Sequence, residues 1–309
     1  MIDIQEVTAL AHVQDLGRYG RRRFGIGHAG AMDTQALQAG NILLGNLPGA
    51  AAIEVVLGGL SVRFGRDTPF CITGAVYEAD LDGEPVYSYW RYTAEAGQTL
   101  YLKRAVQGMY GYLCVAGGID VPEVMGSRST DLKAAFGGFE GRALHSGDIL
   151  PQGAGEHYLS RVGIAPLFSD GIIHALPSSE YHLFDCASRT AFWNTLWRLQ
   201  SDSNRMGYRF SGAELNLAGA VEMLSHAVTA GTVQVPPSGL PIVLTADCQT
   251  TGGYPKIACV AAADLGKLAQ TRFGSAVRFR MTDTAHALRL QRKNQAYLNH
   301  IKRIAGENS

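Results

Sequence analysis

Tyr77-Glu78-Ala79-Asp80-Leu81-Asp82-Gly83-Glu84-Pro85-Val86-Tyr87-Ser88-Tyr89 decides the fold class. Two runs rich in Tyr and Val, residues 77–81 and 85–89, flank Asp82-Gly83, a dipeptide suited to the positive φ angles of a two-residue hairpin turn. Further short apolar runs stand between glycines, of which the chain has 37. Residues 54–57, 61–64, 70–73, 99–103, 109–116, 232–235, 242–245, 256–260 and 276–281 read as strands, because Val, Ile, Tyr and Phe recur in them at strand length. The fold is therefore expected to be mainly β, with a few peripheral helices.

Three helices are expected. Over 33–44, Asp33 stands as N-cap and Gly45 as a stop. A second, broken stretch runs over 179–196. The third follows Asp283, where Tyr297, Ile301 and Ile304 fall on one stripe among many charges, the pattern of a surface brace. Residues 151–170 lose the strand pattern and gather Gly, Pro and polar side chains. They mark a boundary between a β-rich lobe over 1–155 and another over 170–309, with 156–169 as linker.

With 309 residues and 46% hydrophobic content, the chain can fill a substantial core. Lys plus Arg and Asp plus Glu both number 27, so no global field recruits nucleic acid or an anionic membrane. The five scattered cysteines suit reduced thiols better than a secreted disulfide framework. Neither a signal core after Met1 nor an apolar run of membrane-spanning length is visible, which points to the cytoplasm. Gly25-Ile26-Gly27-His28-Ala29-Gly30 matches GxGxxG as a string. It follows Arg21-Arg22-Arg23-Phe24 instead of a buried strand, so it reads as a tight loop with a solvated or docking arginine face. There is no GxxxxGK[ST] loop, HExxH, paired-Cys spacing or GxSxG, and no metal site is expected.

Four polar clusters remain. Gln249-Thr250-Thr251-Gly252-Gly253-Tyr254-Pro255-Lys256 follows the apolar run 242–244 with an amide, hydroxyls, a glycine pair, a phenol and an ammonium, and reads as a polar ligand cradle or as a solvated turn. Gln14-Asp15-Leu16-Gly17-Arg18 sets a carboxylate three residues from a guanidinium. Gly126-Ser127-Arg128-Ser129-Thr130-Asp131 suits the gripping of a carboxylate or phosphate, or caps a short helix. Asn204-Arg205-Met206-Gly207-Tyr208-Arg209 repeats the combination, or is a turn that starts a strand.

These clusters, with Gly30-Ala31-Met32-Asp33 and Val115-Ala116-Gly117-Gly118-Ile119-Asp120-Val121-Pro122, resemble the carboxyltransferase/allophanate hydrolase subunit 2 family in order and over nearly the whole chain. The resemblance implies cyclophilin-like β-barrel lobes and a cytoplasmic complex. In the branch most similar to this chain, such a protein works with the B and A subunits of a 5-oxoprolinase, opening 5-oxo-L-proline to L-glutamate with hydrolysis of ATP, with Mg²⁺ as the accompanying ion. It assigns Arg128, Arg205 and Lys256 to anions, and Asp15, Asp33 and Asp131 to proton transfer or the cation, although Asp33 also reads as the cap of its helix. Gln249, Thr250, Thr251 and Tyr254 would orient the lactam or amide. The family also contains carboxyltransferase domains that move a carboxyl group from biotin to a urea-like amide, and relatives read as regulators that bind a kinase inhibitor. The octet itself lacks a carboxylate, so acid–base chemistry must reach it from elsewhere.

Overall fold

The computed structural model describes residues 1–167 and 170–307, so Phe168 and Ser169 of the expected linker lie outside the described residues. By contacts the chain forms two units: Met1–Tyr19, Ala29–Leu167 and Gln295–Ser309 make the first, Gly20–His28 and Phe168–Asn294 the second.

In the first unit the hairpin forms as its sequence demands. Strand Thr68–Leu81 pairs with Glu84–Val86 so that Leu81 faces Glu84, leaving Asp82 and Gly83 as a two-residue loop with φ of 51° and 89°. Segments that read as separate strands are joined. Residues 70–73 and 77–81 belong to Thr68–Leu81, and 99–103 and 109–116 to the 17-residue strand Thr99–Val115, which ends one residue short of Ala116. Register shifts from Gly74 to Ala79 bend the pair without ending it, so the glycines that look like stops are bulge positions. One edge of Thr99–Val115 pairs with Thr68–Leu81, and the other pairs in turn with Gly58–Phe64 and Ala52–Val56. Ile2–Val7 and Ala11–Gln14, not foreseen from sequence, extend this sheet. Its inner face buries Ile53, Val62, Phe64, Phe70, Leu102 and Leu113. The first helix, α1 (Thr34–Leu43), starts at Asp33, whose carboxylate accepts from Ala36 N at 3.0 Å. Gly40 lets α1 close onto the sheet, since a Cβ there would meet Cys114 Sγ at 2.7 Å and Thr73 Oγ1 at 2.9 Å.

The second unit contains a closed barrel of Ile172–Pro177, Lys256–Val260, Thr232–Gln234, Ile242–Leu244, Gly207–Ser211, Trp197–Leu199 and Ala276–Met281. A parallel pairing of Ile172–Pro177 with Ala276–Met281 closes it. Tyr208, Phe210, Val233, Val243, Ala258 and Phe279 are buried, and Phe192 stacks on Phe279 at 4.9 Å. The broken helix is a 3₁₀ turn, Tyr181–Leu183, followed by α2 (Cys186–Asn194), with Asp185 accepting from Ser188 N at 2.6 Å. After the short α3 (Leu265–Ala269), the chain ends in α4 (Thr284–Glu307), capped by Asp283, which accepts from His286 N at 2.6 Å. Leu298 and Ile301 are buried along its stripe, while Tyr297 and Ile304 are half-buried. Among the described residues no helix is long and apolar enough to cross a membrane.

Candidate functional site

Asp15 and Arg128 come together in the first unit. Asp15 Oδ1 accepts from Gly17 N (2.7 Å), Ser127 Oγ (2.6 Å) and Ser129 Oγ (2.5 Å), and its Oδ2 accepts from Arg128 N (2.6 Å). Four bonds use the acceptor capacity of a carboxylate, so Asp15 ties the 126–129 turn to the strand before it. The Arg128 guanidinium donates to Val121 O (2.8 Å), Glu123 Oε1 (2.8 Å) and Asp120 Oδ1 (2.9 Å). Both residues line a cavity of about 990 Å³, with Asn46, Arg91, Glu156 and Tyr158. Asp33 caps α1, as its alternative reading has it, and Asp131 accepts from Ala134 N at 3.0 Å in its own turn.

A buried carboxylate that belongs to none of the sequence motifs supports that region. Glu54 is fully buried in its strand and accepts from Met32 N (2.9 Å) and Tyr112 Oη (2.8 Å), with His12 Nε2 at 3.4 Å. Asp33 N donates to Tyr112 Oη at 2.7 Å, so Glu54 and Tyr112 fix the entry to α1. Burial first, then the charges of Glu54 and Asp33, push the Tyr112 hydroxyl well above its usual range.

The octet lies in the second unit. Its Thr251–Gly252 pairs with His226–Ala227, His226 facing Gly252 and Ala227 facing Thr251. Arg22, one of the three arginines read as a solvated or docking face, donates to Val228 O and to Gln249 O (2.9 Å), clamping the start of the octet. Arg205 is buried in a two-bond pair with Asp247, Nε–Oδ2 and Nη2–Oδ1 both 2.8 Å, just before it. At the far end Lys256 is buried: its N donates to Glu180 Oε2 (2.7 Å), and its Nζ donates to Tyr254 O (3.0 Å) with Glu180 Oε1 at 3.5 Å. His226 Nε2 meets the same Oε1 at 2.9 Å. Gln234, the cross-strand partner of Lys256, is also buried, and its Nε2 finds no acceptor among the described residues. That amide presses on Gly252, where a Cβ would lie 2.6 Å from Nε2. Tyr254 is half exposed and lines, with Gly253, Pro255, Phe184, Leu217 and Met223, a pocket of about 360 Å³.

The structure thus joins Asp15 to Arg128 in one unit, and sets Arg205 and the octet in the other. Arg128, Arg205 and Lys256 all face protein carboxylates, and Arg205 and Lys256 are buried against theirs, so these two do not fit the triphosphate of ATP as they are placed. Among the described residues no three His, Cys, Asp or Glu side chains are grouped to hold a metal ion. Beside the octet stand Glu180 and His226, joined to each other and, through Glu180, to Lys256, ionisable side chains of kinds its own sequence lacks.

A closed barrel with a polar loop, in a chain that also builds an open bent sheet, defines a class. Residues 24–281 match the carboxyltransferase domain family, subdomain A and B, and the chain belongs to that family. It is 56% identical over 308 residues to the 5-oxoprolinase C subunit of Haemophilus influenzae, covering 99% of each chain. It is 47% identical over 310 residues to the 5-oxoprolinase C subunit of Escherichia coli, covering 100% of each. The solved urea carboxylase of Kluyveromyces lactis superposes with a TM-score of 0.90 at 25% identity, covering 97% of this chain and 29% of that one.

Proposed function

We propose that the chain is the C subunit of an ATP-dependent 5-oxoprolinase, acting in the cytoplasm with companion B and A subunits to open 5-oxo-L-proline to L-glutamate. The observation that carries this reading is coverage. The chain matches the two 5-oxoprolinase C subunits along 99% and 100% of their lengths, but only 29% of the urea carboxylase. The five cysteines are free, which suits a reducing compartment.

A lactam is a poor electrophile, and its opening needs a site that recognises a planar N–C=O group and controls the N–H proton. The octet supplies neutral donors and acceptors, and the Phe184, Leu217 and Met223 side chains of the pocket beside Tyr254 suit the ring methylenes. Such a site is also compatible with a urea-like amide in a carboxyltransferase, a reading favoured by the superposition on urea carboxylase. Mixing the purified chain with its B and A partners and 5-oxo-L-proline should release glutamate only when ATP is present and only when all three proteins are. No glutamate in any combination overturns the 5-oxoprolinase reading. Transfer of labelled carboxylate from a biotinyl carrier to an amide would support the carboxyltransferase.

A further inference from the structure

The strap of residues 218–227 is anchored at its ends and nowhere between. At one end Ala218 N donates to Leu183 O at 2.8 Å, and Leu217 bridges to Phe184. At the other, His226 and Ala227 pair with Gly252 and Thr251, Val228 N donates to Thr250 O at 3.1 Å, and the Val228 side chain is buried. Residues 219–225 make no backbone–backbone hydrogen bond among the described residues, and all but Met223 are exposed. Such a stretch can lift without breaking a ladder. Yet it lies across the octet: a Cβ added to Gly253 would come within 3.2 Å of Ser225 Oγ and 3.7 Å of Met223 O. Its side chains alternate as in an extended chain, Val221 and Met223 walling the pocket beside Tyr254 while Glu222 and Leu224 face outward, Leu224 with 85% of its area exposed. Ala218-Gly219-Ala220 has no large side chain to pin it. Gly219 has open space where a Cβ would stand and no positive φ, so sterics do not require a glycine there, and what it adds is freedom of the chain. The strap's one ion pair, His226 Nε2 to Glu180 Oε1 at 2.9 Å, has its histidine 46% exposed and is weak enough to be released.

We infer that residues 219–225 are a lid over the pocket beside Tyr254, hinged at 218–220 and latched by His226 on Glu180, which opens to admit a small planar amide and closes over it. The inference rests on the reading of the octet as the ligand site. In the closed position Val221 and Met223 lie over the ligand and bulk water is kept from the pocket, which has the size of a small-ligand site at about 360 Å³. Opening needs only the release of the latch and rotation about the small residues of the hinge, because the barrel strands contribute nothing to the lid's backbone.

A disulfide tests the motion. The 3.2 Å from a Gly253 Cβ to Ser225 Oγ suits a bond between the side chains of Ser225→Cys and Gly253→Cys, which would tie the lid to the octet. With the B and A partners, the reduced double variant should release glutamate from 5-oxo-L-proline. Oxidation with diamide should lower its rate at least about tenfold and dithiothreitol should restore it, wild type being taken through the same cycle as control. Glutamate released at the reduced rate, with mass spectrometry showing the bond in place, overturns the lid and leaves the octet reading standing. A second measurement needs no turnover. A glutamate-specific protease should cut wild type after Glu222, and 5-oxo-L-proline should slow that cut at least about fivefold, in the chain alone or in the complex. In a protein that releases glutamate, no cut in either form, or a cut the lactam leaves unchanged, overturns the lid. Failure of the 5-oxoprolinase reading shows differently, as no glutamate from wild type in any combination. In that case slowing of the cut by urea keeps the lid, and slowing by neither amide overturns it.

Discussion

Replacing Arg205 by alanine is expected to destabilise the protein by about 3–5 kcal/mol, because it strands a buried carboxylate without its partner. Only 5% of the Arg205 side chain and 8% of the Asp247 side chain are exposed, and two 2.8 Å bonds join them. The backbone follows the side chains: Arg205 O accepts from Asp247 N at 2.8 Å and from Thr245 Oγ1 at 2.5 Å. The pair therefore locks the 204–207 turn to the segment that launches the octet. Asp247→Ala should cost a similar amount, whereas Arg205→Met with Asp247→Leu should recover most of the loss, since well-packed apolar residues can replace a buried pair. Urea unfolding followed by tryptophan fluorescence reads each change as a shifted midpoint. An Arg205→Ala protein as stable as wild type but with a raised KM would mean that Arg205 binds the ligand anion, as its motif suggests, and that the pair is incidental.

The second large effect belongs to Asp15. Asp15→Ala should cost about 3 kcal/mol, the loss of charge-assisted bonds to two hydroxyls and two backbone amides, discounted because the half-buried turn can take up water. Asp15→Asn keeps the shape but replaces one acceptor oxygen by a donor, and should lose a smaller part of the stability. If Asp15 instead moved a proton, Asp15→Asn would fold at wild-type stability and lose kcat. Paired melting and turnover measurements on the two variants separate these outcomes.

The sequence features that carried through to structure are local ones. Asp82-Gly83, the Asp33 and Asp283 caps and the break before α2 each act over a few residues, so composition and spacing expose them. Gly74 marks a register shift and Gly108 a positive φ inside long strands, and both read as strand ends because a glycine looks alike at a bulge and at a turn. Ion pairing was less legible. The partners of Arg128, Asp120 and Glu123, lie eight and five residues away, so that pairing had a signal in the sequence. Those of Arg205 and Lys256 are 42 and 76 residues away, and only the barrel brings them together. Glu180, His226 and Gln234 sit in no motif at all. Register places two of them beside the octet, His226 opposite Gly252 and Gln234 opposite Lys256.

The octet of the second unit, and not the larger cavity of the first, is proposed to hold the amide. Hydrogen exchange by mass spectrometry on the assembled complex of this chain with its B and A partners, with and without 5-oxo-L-proline, addresses it directly. Protection on adding the ligand is predicted at amides of residues 226–234 and 249–256. Protection confined to 117–128 and 154–159, the rim of the first-unit cavity, would contradict it.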